Sequence, residues 1–259
     1  MLLVIDVGNT NVVLGIFKDD KLLKDWRIRT ERNITDDEFY VIASTLFKSS
    51  GFELKDIKYT AISSVVPPVM NMLNSFCLKY IGHTPKWVDA KSVDIMPILY
   101  SNPSEVGSDR IVNSIAAFNK YKTALIIIDF GTATTFDVVS EKGEYIGGAI
   151  SPGIMISSEA LFQHASKLPR VEIFNPQKNV IGKDTVSSMK SGIIYGYASL
   201  VDGMVNRIIK EMEATPKVIA TGGLAPLMYK ISETIESVES SLCLEGLKII
   251  CDYYYKGKP

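Results

Sequence analysis

The sequence predicts an α/β protein made of two similar halves, and three observations carry that expectation. An apolar run, Leu3-Val4-Ile5, ends in Asp6-Val7-Gly8-Asn9-Thr10-Asn11. A second run, Ile126-Ile127-Ile128, ends in Asp129-Phe130-Gly131-Thr132-Ala133-Thr134-Thr135. The two acids lie 123 residues apart in a chain of 259, close to half its length. Third, each turn leads into a further strand-like run, Val12 to Phe17 and Thr134 to Val139.

Taken in order, residues 2–7, 12–18 and 21–29 read as three strands of a meander, with Lys18-Asp19-Asp20-Lys21 as a polar turn. Thr35 to Phe47 reads as a helix. Thr35 and Glu38 have capping-box spacing, and Phe39, Ile42, Ala43, Leu46 and Phe47 form one apolar stripe. Residues 57–65 predict a strand, 69–80 a helix entered through Pro67-Pro68, and 85–88 a further strand. Residues 89–104 are irregular, with Ser92 among them. Ile111, Val112, Ile115 and Ala116 then recur at helical spacing, which sets Gly107-Ser108-Asp109-Arg110 at a helix N-terminus.

The second half starts near Lys122. Strands are expected at 124–129, 133–139 and 144–150, repeating the meander, and a helix runs through Leu161. Ser166 to Val180 reads as a loop with Pro169 and Pro176. A long helix follows from Thr185 to about Met212, with Gly192 and Gly196 four apart for close packing. Val218 to Thr221 is a short strand before Gly222-Gly223, and 244–255 closes the chain as a helix. The expected domains are 1–118 and 119–259.

A buried strand ending in Asp-x-Gly suits phosphate chemistry. Glycine lets the backbone turn tightly or approach a ligand closely, and the turn exposes N–H groups that can face phosphate oxygens. A strand-end carboxylate can hold hydrated Mg²⁺ while substrate phosphates supply other ligands. Asp-x-Gly is also ordinary turn chemistry, but two copies at equivalent places favour the phosphate reading. Gly147-Gly148 is read as a close approach to a ligand or cleft wall. Asp109 has two open readings. It can cap the helix, or it can take a proton from a hydroxyl while Arg110 forks onto phosphate oxygens.

Composition narrows the alternatives. The chain is 46% hydrophobic with net charge −1, so a nucleic-acid surface with its basic stripe is not expected. The three cysteines are odd in number and unclustered, which suggests a reducing compartment with no disulfide framework. Cys77 and Cys243 read as small core residues, and His83 and His164 as ordinary surface or core residues. The N-terminus lacks the basic segment of a signal peptide, and no run of 18 uncharged apolar residues suggests a membrane span. A soluble cytoplasmic protein is expected.

The paired turns resemble those of the acetate kinase, sugar kinase, Hsp70 and actin superfamily, in which two ribonuclease H-like domains (the actin-like ATPase fold) close on ATP. More specifically, a set of motifs resembles type III pantothenate kinase. The set is Asp6 to Thr10, Asn102 to Arg110, Asp129 to Thr135, Gly147-Gly148 with Pro152-Gly153, Gly182 to Thr185, and Thr221 to Gly223. That resemblance implies transfer of the ATP γ-phosphoryl group to the primary hydroxyl of pantothenate, the first step of coenzyme A synthesis. It implies Asp109 as general base and Tyr100, Gly107, Ser108, Asp109, Arg110 and Thr185 around pantothenate. Asp6, Val7, Gly8, Asn9, Thr10, Asn11, Val12 and Val13 would wrap the ATP phosphates, with Asp6 facing Mg²⁺ and Thr132 touching the nucleotide. Asp129 would hold a monovalent cation, K⁺ or NH₄⁺. A homodimer with active sites near its interface is implied, with no nucleic-acid or membrane partner. One departure is Ser108, where alanine is more usual. Another kinase, a phosphohydrolase and a nucleotide-dependent regulator remain the alternatives.

Overall fold

The computed structural model describes residues 1–90, 93–173 and 178–256, so Ser92 and Pro176 lie outside the described residues. The chain divides into two compact units. One comprises Met1–Ala116 together with the chain from Leu242 onward, and the other is Ala117–Ser241.

In the first unit, β1 (Leu2–Val7), β2 (Asn11–Lys18) and β3 (Lys21–Arg29) form the expected meander. Helix α1 (Asp36–Ser49) starts where the capping box predicts. Thr35 Oγ1 accepts from the Glu38 N–H, and Glu38 Oε2 accepts from the Thr35 N–H. Then come β4 (Tyr59–Ser64), α2 (Met70–Phe76) and β5 (Lys86–Val88). The expected helix over 69–80 is shorter in its α part. Its last turn widens into a π-helical segment, Cys77–Ile81, which ends at Gly82 with φ 90°. The sheet order is β3-β2-β1-β4-β5, with β1 antiparallel to β2 and parallel to β4. Leu3, Ile5, Ile62, Phe39, Phe47 and Phe76 fill its core. Helix α3 (Ser108–Tyr121) crosses the boundary at Ala116.

The second unit repeats the plan with β6 (Leu125–Phe130), β7 (Ala133–Val139), β8 (Tyr145–Pro152), α4 (Ile154–His164), α5 (Thr185–Glu211), β9 (Lys217–Gly222), α6 (Ala225–Met228) and β10 (Ser237–Val238). Its sheet order, β8-β7-β6-β9-β10, matches the first position for position. β10 has two residues and carries no periodicity signal of its own. Gly147-Gly148 lies inside β8 and not in a loop. The ladder shifts register there between Val138 and Val139, and Gly147 has φ 135°. A bulge accounts for Gly147 without a ligand.

The last helix, α7 (Leu242–Lys256), departs from the expected domain division. It packs on β1, β4, β2 and β5, so it belongs to the first unit and not to 119–259. Glycine makes the fit. A Cβ on Gly15 of β2 would stand 3.0 Å from Leu244 Cδ1, and one on Gly246 would clash with the Val112 backbone of α3. Leu244, Leu247 and Ile250 are buried, each worth about 1.5–3 kcal/mol. With α1 and α2 also packed in this unit, the unbroken apolar run of β1 reflects a strand covered on both faces.

Candidate active site

The parallel strand β1 carries Asp6 to its C-terminal end, level with Val13 of β2 and Ser63 of β4. Ser63 Oγ donates to Asp6 Oδ1 at 2.6 Å. The turn that follows is braced from within and from β3. The Gly8 N–H donates to the Asn11 carbonyl at 2.9 Å, and the Thr30 N–H donates to the Thr10 carbonyl at 3.0 Å. Thr30 Oγ1 donates to the Gly8 carbonyl at 2.7 Å. Asn9 and Thr10 stand exposed at the tip, while Gly8, Asn11 and Val13 are half-buried. Val7 and Val12 face the core, so of the predicted phosphate-wrapping residues these two can offer only backbone.

Helix α3 places the second acid in the same unit. Asp109 lies in the helix's first turn, and its Oδ1 accepts from the Arg110 N–H at 2.8 Å. Asp109 is thus the second residue of the helix and not its N-cap, although its carboxylate does satisfy a free N–H of the first turn. Gly107 makes room, since a Cβ there would stand 2.6 Å from Asp109 Oδ1. Ser108 Oγ donates to the Ser64 carbonyl at 3.3 Å, tying the helix start to the end of β4. The departure at Ser108 thus adds a scaffold bond. Arg110 is buried, with its charge close enough to pull on Asp109. Tyr100 is half-buried in the irregular segment before this helix.

The electrostatics join the two acids. Burial pushes the Asp6 carboxyl up to about 6, and the negative charge of Asp109 adds to the rise. Hydrogen bonds from Ser63 and Cys243 and the charge of Arg27 oppose it. Burial also raises Asp109, against the Arg110 N–H bond and the Arg110 charge. Asp6, near the end of β1 with its carboxyl raised, is a single carboxylate of the kind that can hold a divalent cation alongside phosphate oxygens.

The second unit repeats the first motif at the end of β6. Asp129 is level with Thr135 of β7 and Thr221 of β9, as Asp6 is with Val13 and Ser63. The Gly131 N–H donates to the Ala133 carbonyl at 3.1 Å, and Thr132 is exposed at the tip. The Asp129 carboxylate is wedged into backbone. A Cβ on Gly222 would lie 2.5 Å from its Oδ1, and one on Gly131 3.5 Å away. Gly222 also has φ 90°, which disfavours any side chain. The double-glycine turn after β9 thus has a local reason, the close approach of Asp129. A cradle of this kind, one carboxylate among backbone groups, fits a cation with oxygen ligands. Gly153 serves the same turn, because a Cβ there would clash with the Thr132 carbonyl. Thr185 opens α5 and is exposed, behind an Asp184 cap whose Oδ1 accepts from the Ser187 N–H at 2.9 Å.

Two residues in this setting are absent from the predicted site. Ser63, just before Pro67-Pro68, can approach a cleft but is explained as well by helix entry, and Cys243 reads as core. Cys77 is buried, whereas Cys243 is only half-buried and hydrogen bonds to Asp6. The repeat offered one signal for Ser63, since Thr221 holds the equivalent register position. Thr221, however, donates to the Glu239 carbonyl at 2.8 Å. Of the histidines, His83 Nε2 lies 3.0 Å from Thr60 Oγ1 in a half-buried structural contact.

Known proteins fit this geometry. A likeness to solved structures extends over nearly the whole chain. A conserved Baf family protein of Campylobacter jejuni superposes with TM-score 0.61 at 17% identity, covering 98% of this chain and 99% of that one. A ROK family glucokinase from Streptomyces griseus, in complex with glucose and AMPPNP, gives TM-score 0.52 at 12% identity, covering 96% and 99%. These likenesses establish the fold, a two-domain ribonuclease H-like architecture. The curated type III pantothenate kinase of Desulfatibacillum aliphaticivorans is 64% identical over 252 residues, 97% of this chain and 98% of that protein. The type III pantothenate kinase family matches residues 2–207. On that match and that identity, the chain belongs to the type III pantothenate kinase family.

Proposed function

We propose that this protein transfers the γ-phosphoryl group of ATP to the primary hydroxyl of pantothenate, giving 4′-phosphopantothenate at the entry to coenzyme A synthesis. The observation that carries the reading is the pairing of Asp6 and Asp109 in one unit, each acid perturbed by burial. One acid sits beside a phosphate-type turn and the other at a helix N-terminus.

In this mechanism the turn from Asp6 to Val13 receives the ATP phosphates through the backbone and side chains of Gly8 to Asn11, and Thr132 touches the nucleotide. Free N–H groups at the start of α3 draw the anionic end of pantothenate, with Arg110 neutralising charge. Tyr100, Gly107, Ser108 and Thr185 complete the acceptor site. Asp109, its pKa raised by burial, takes the hydroxyl proton as the oxygen attacks phosphorus in line, and ADP departs. Asp6 would hold Mg²⁺, which would supply charge neutralisation on the phosphates. Asp129 would hold a monovalent cation, K⁺ or NH₄⁺.

The same reading includes a homodimer in the cytoplasm. Its support is an apolar face on the second unit, where Met155, Ile156, Leu161 and Phe162 of α4 are exposed. Beside them is a groove of about 660 Å³ between α4 and α5, floored by Gly192 and Gly196. No helix among the described residues is long and apolar enough to cross a membrane.

The test is product identity. ATP labelled at the γ-phosphorus should pass label to pantothenate and to no sugar or short carboxylic acid in a parallel panel. Label appearing on another acceptor, or only as free phosphate, would refute the reading.

A further inference from the structure

Asp6 is the acid nearest the proposed phosphate turn, and two donors from distant parts of the chain hold it. Ser63 comes from the end of β4, and its hydroxyl reaches Asp6 Oδ1 at 2.6 Å. Cys243 comes from the first turn of α7, and its thiol hydrogen bonds to the same carboxylate. The position of Cys243 is fixed rather than incidental. Leu242 and Leu244, its neighbours in α7, are both buried, and Leu244 packs at Gly15 of β2. Three residues on, Gly246 lets α7 come against Val112 of α3, the helix that carries Asp109. So α7 touches the strand bearing one acid and the helix bearing the other.

We infer that α7 is a working part of the ATP site, with Cys243 and Ser63 as positioning residues that orient the Asp6 carboxylate. The mechanism above leaves both residues unused. A carboxylate that must present one oxygen to a cation is better pre-organised when its remaining lone pairs are already engaged. A thiol is a weaker donor than a hydroxyl, so Ser63 is the stronger of the two. Cys243 also brings a chemical handle. It is the half-buried cysteine of the three, Cys77 and Cys251 being buried.

The inference rests on Asp6 facing Mg·ATP, and its test separates the two ideas. Wild-type protein is treated with N-ethylmaleimide, with and without Mg·ATP, and alkylation is followed at each cysteine by peptide mass spectrometry. Cys243 should react first, and Mg·ATP should slow its reaction by about five-fold or more. Cys243→Ala should raise KM for Mg·ATP about five-fold, the scale of one ordinary hydrogen bond, as suits a weak thiol donor, with KM for pantothenate unmoved. Cys243→Ser should restore the wild-type value, which a purely packing role would not require. Asp6→Asn serves as the reference. If it loses Mg·ATP affinity while Cys243 alkylation ignores Mg·ATP and Cys243→Ala keeps a wild-type KM, the positioning role is overturned and the role of Asp6 stands. If Asp6→Asn itself binds Mg·ATP normally, the reading of Asp6 fails and the inference fails with it.

Discussion

Replacing Asp109 with asparagine removes its charge and basicity and changes little else. In the first turn of α3 the side-chain oxygen that accepts the Arg110 N–H at 2.8 Å is retained by the amide. The side chain keeps its size beside Gly107, where space is short. Burial works against the ionised carboxyl, so its neutral replacement should leave thermal stability unchanged or slightly raised. Turnover should behave differently. A positioned general base contributes about 10²–10⁴-fold, and at about 1.36 kcal/mol per decade the lower bound is about 2.7 kcal/mol on the barrier. Asp109→Asn should therefore melt with the wild type, bind Mg·ATP, and lose at least about 10² in kcat. Circular dichroism melting checks the first claim, and coupled ADP release at saturating substrates checks the last. A variant with near-wild-type kcat would reduce Asp109 to a helix cap and refute the reasoning.

Other consequences are more local. Gly222→Ala must place a Cβ 2.5 Å from Asp129 Oδ1 at φ 90°, so urea unfolding should show a loss of about 2–3 kcal/mol. Gly246→Ala should cost about 1–3 kcal/mol by forcing α7 away from Val112, and should raise KM for Mg·ATP if α7 serves the site. Asp202 accepts from the Glu233 and Thr234 N–H groups and from the Ser232 and Thr234 hydroxyls. Burial raises its carboxyl, but these hydrogen bonds together hold it below its ordinary value. With the folded pKa depressed, its contribution is present above the unfolded value of about 3.9. It is lost as pH falls through the lower folded value. Asp202→Ala should thus cost about 1–2 kcal/mol at pH 7, a gap to the wild type that closes on acidification in urea titrations at stepped pH.

Much of this architecture was legible locally. The β-branched runs of β1 and β6 mark buried strands, and Thr35 with Glu38 marks the start of α1 through a bond pattern three residues long. The duplication was visible because both strand ends repeat acid, glycine and hydroxyl in the same order. What escaped depends on partners distant in sequence. The apolar stripe of α7 would look the same packed on either sheet. Its place on the first is decided by Gly15 and Gly246, whose meaning appears only when Leu244 and Val112 lie opposite. Ser63 and Cys243 carry no motif, because one reaches Asp6 through the β1–β4 register and the other through helix docking. Gly147, which reads as a close approach to a ligand or cleft wall, answers instead to a bulge, and the purpose of Gly222 appears only beside the Asp129 carboxylate.

The central claim is phosphoryl transfer to pantothenate, with Asp129 holding a monovalent cation. Its most direct test is ADP release from Mg·ATP, with and without pantothenate, in K⁺ and then in Na⁺ buffer. The account predicts release that requires pantothenate and falls sharply when Na⁺ replaces K⁺. Release that proceeds without pantothenate would contradict the kinase reading, and equal rates in the two buffers would contradict the role given to Asp129.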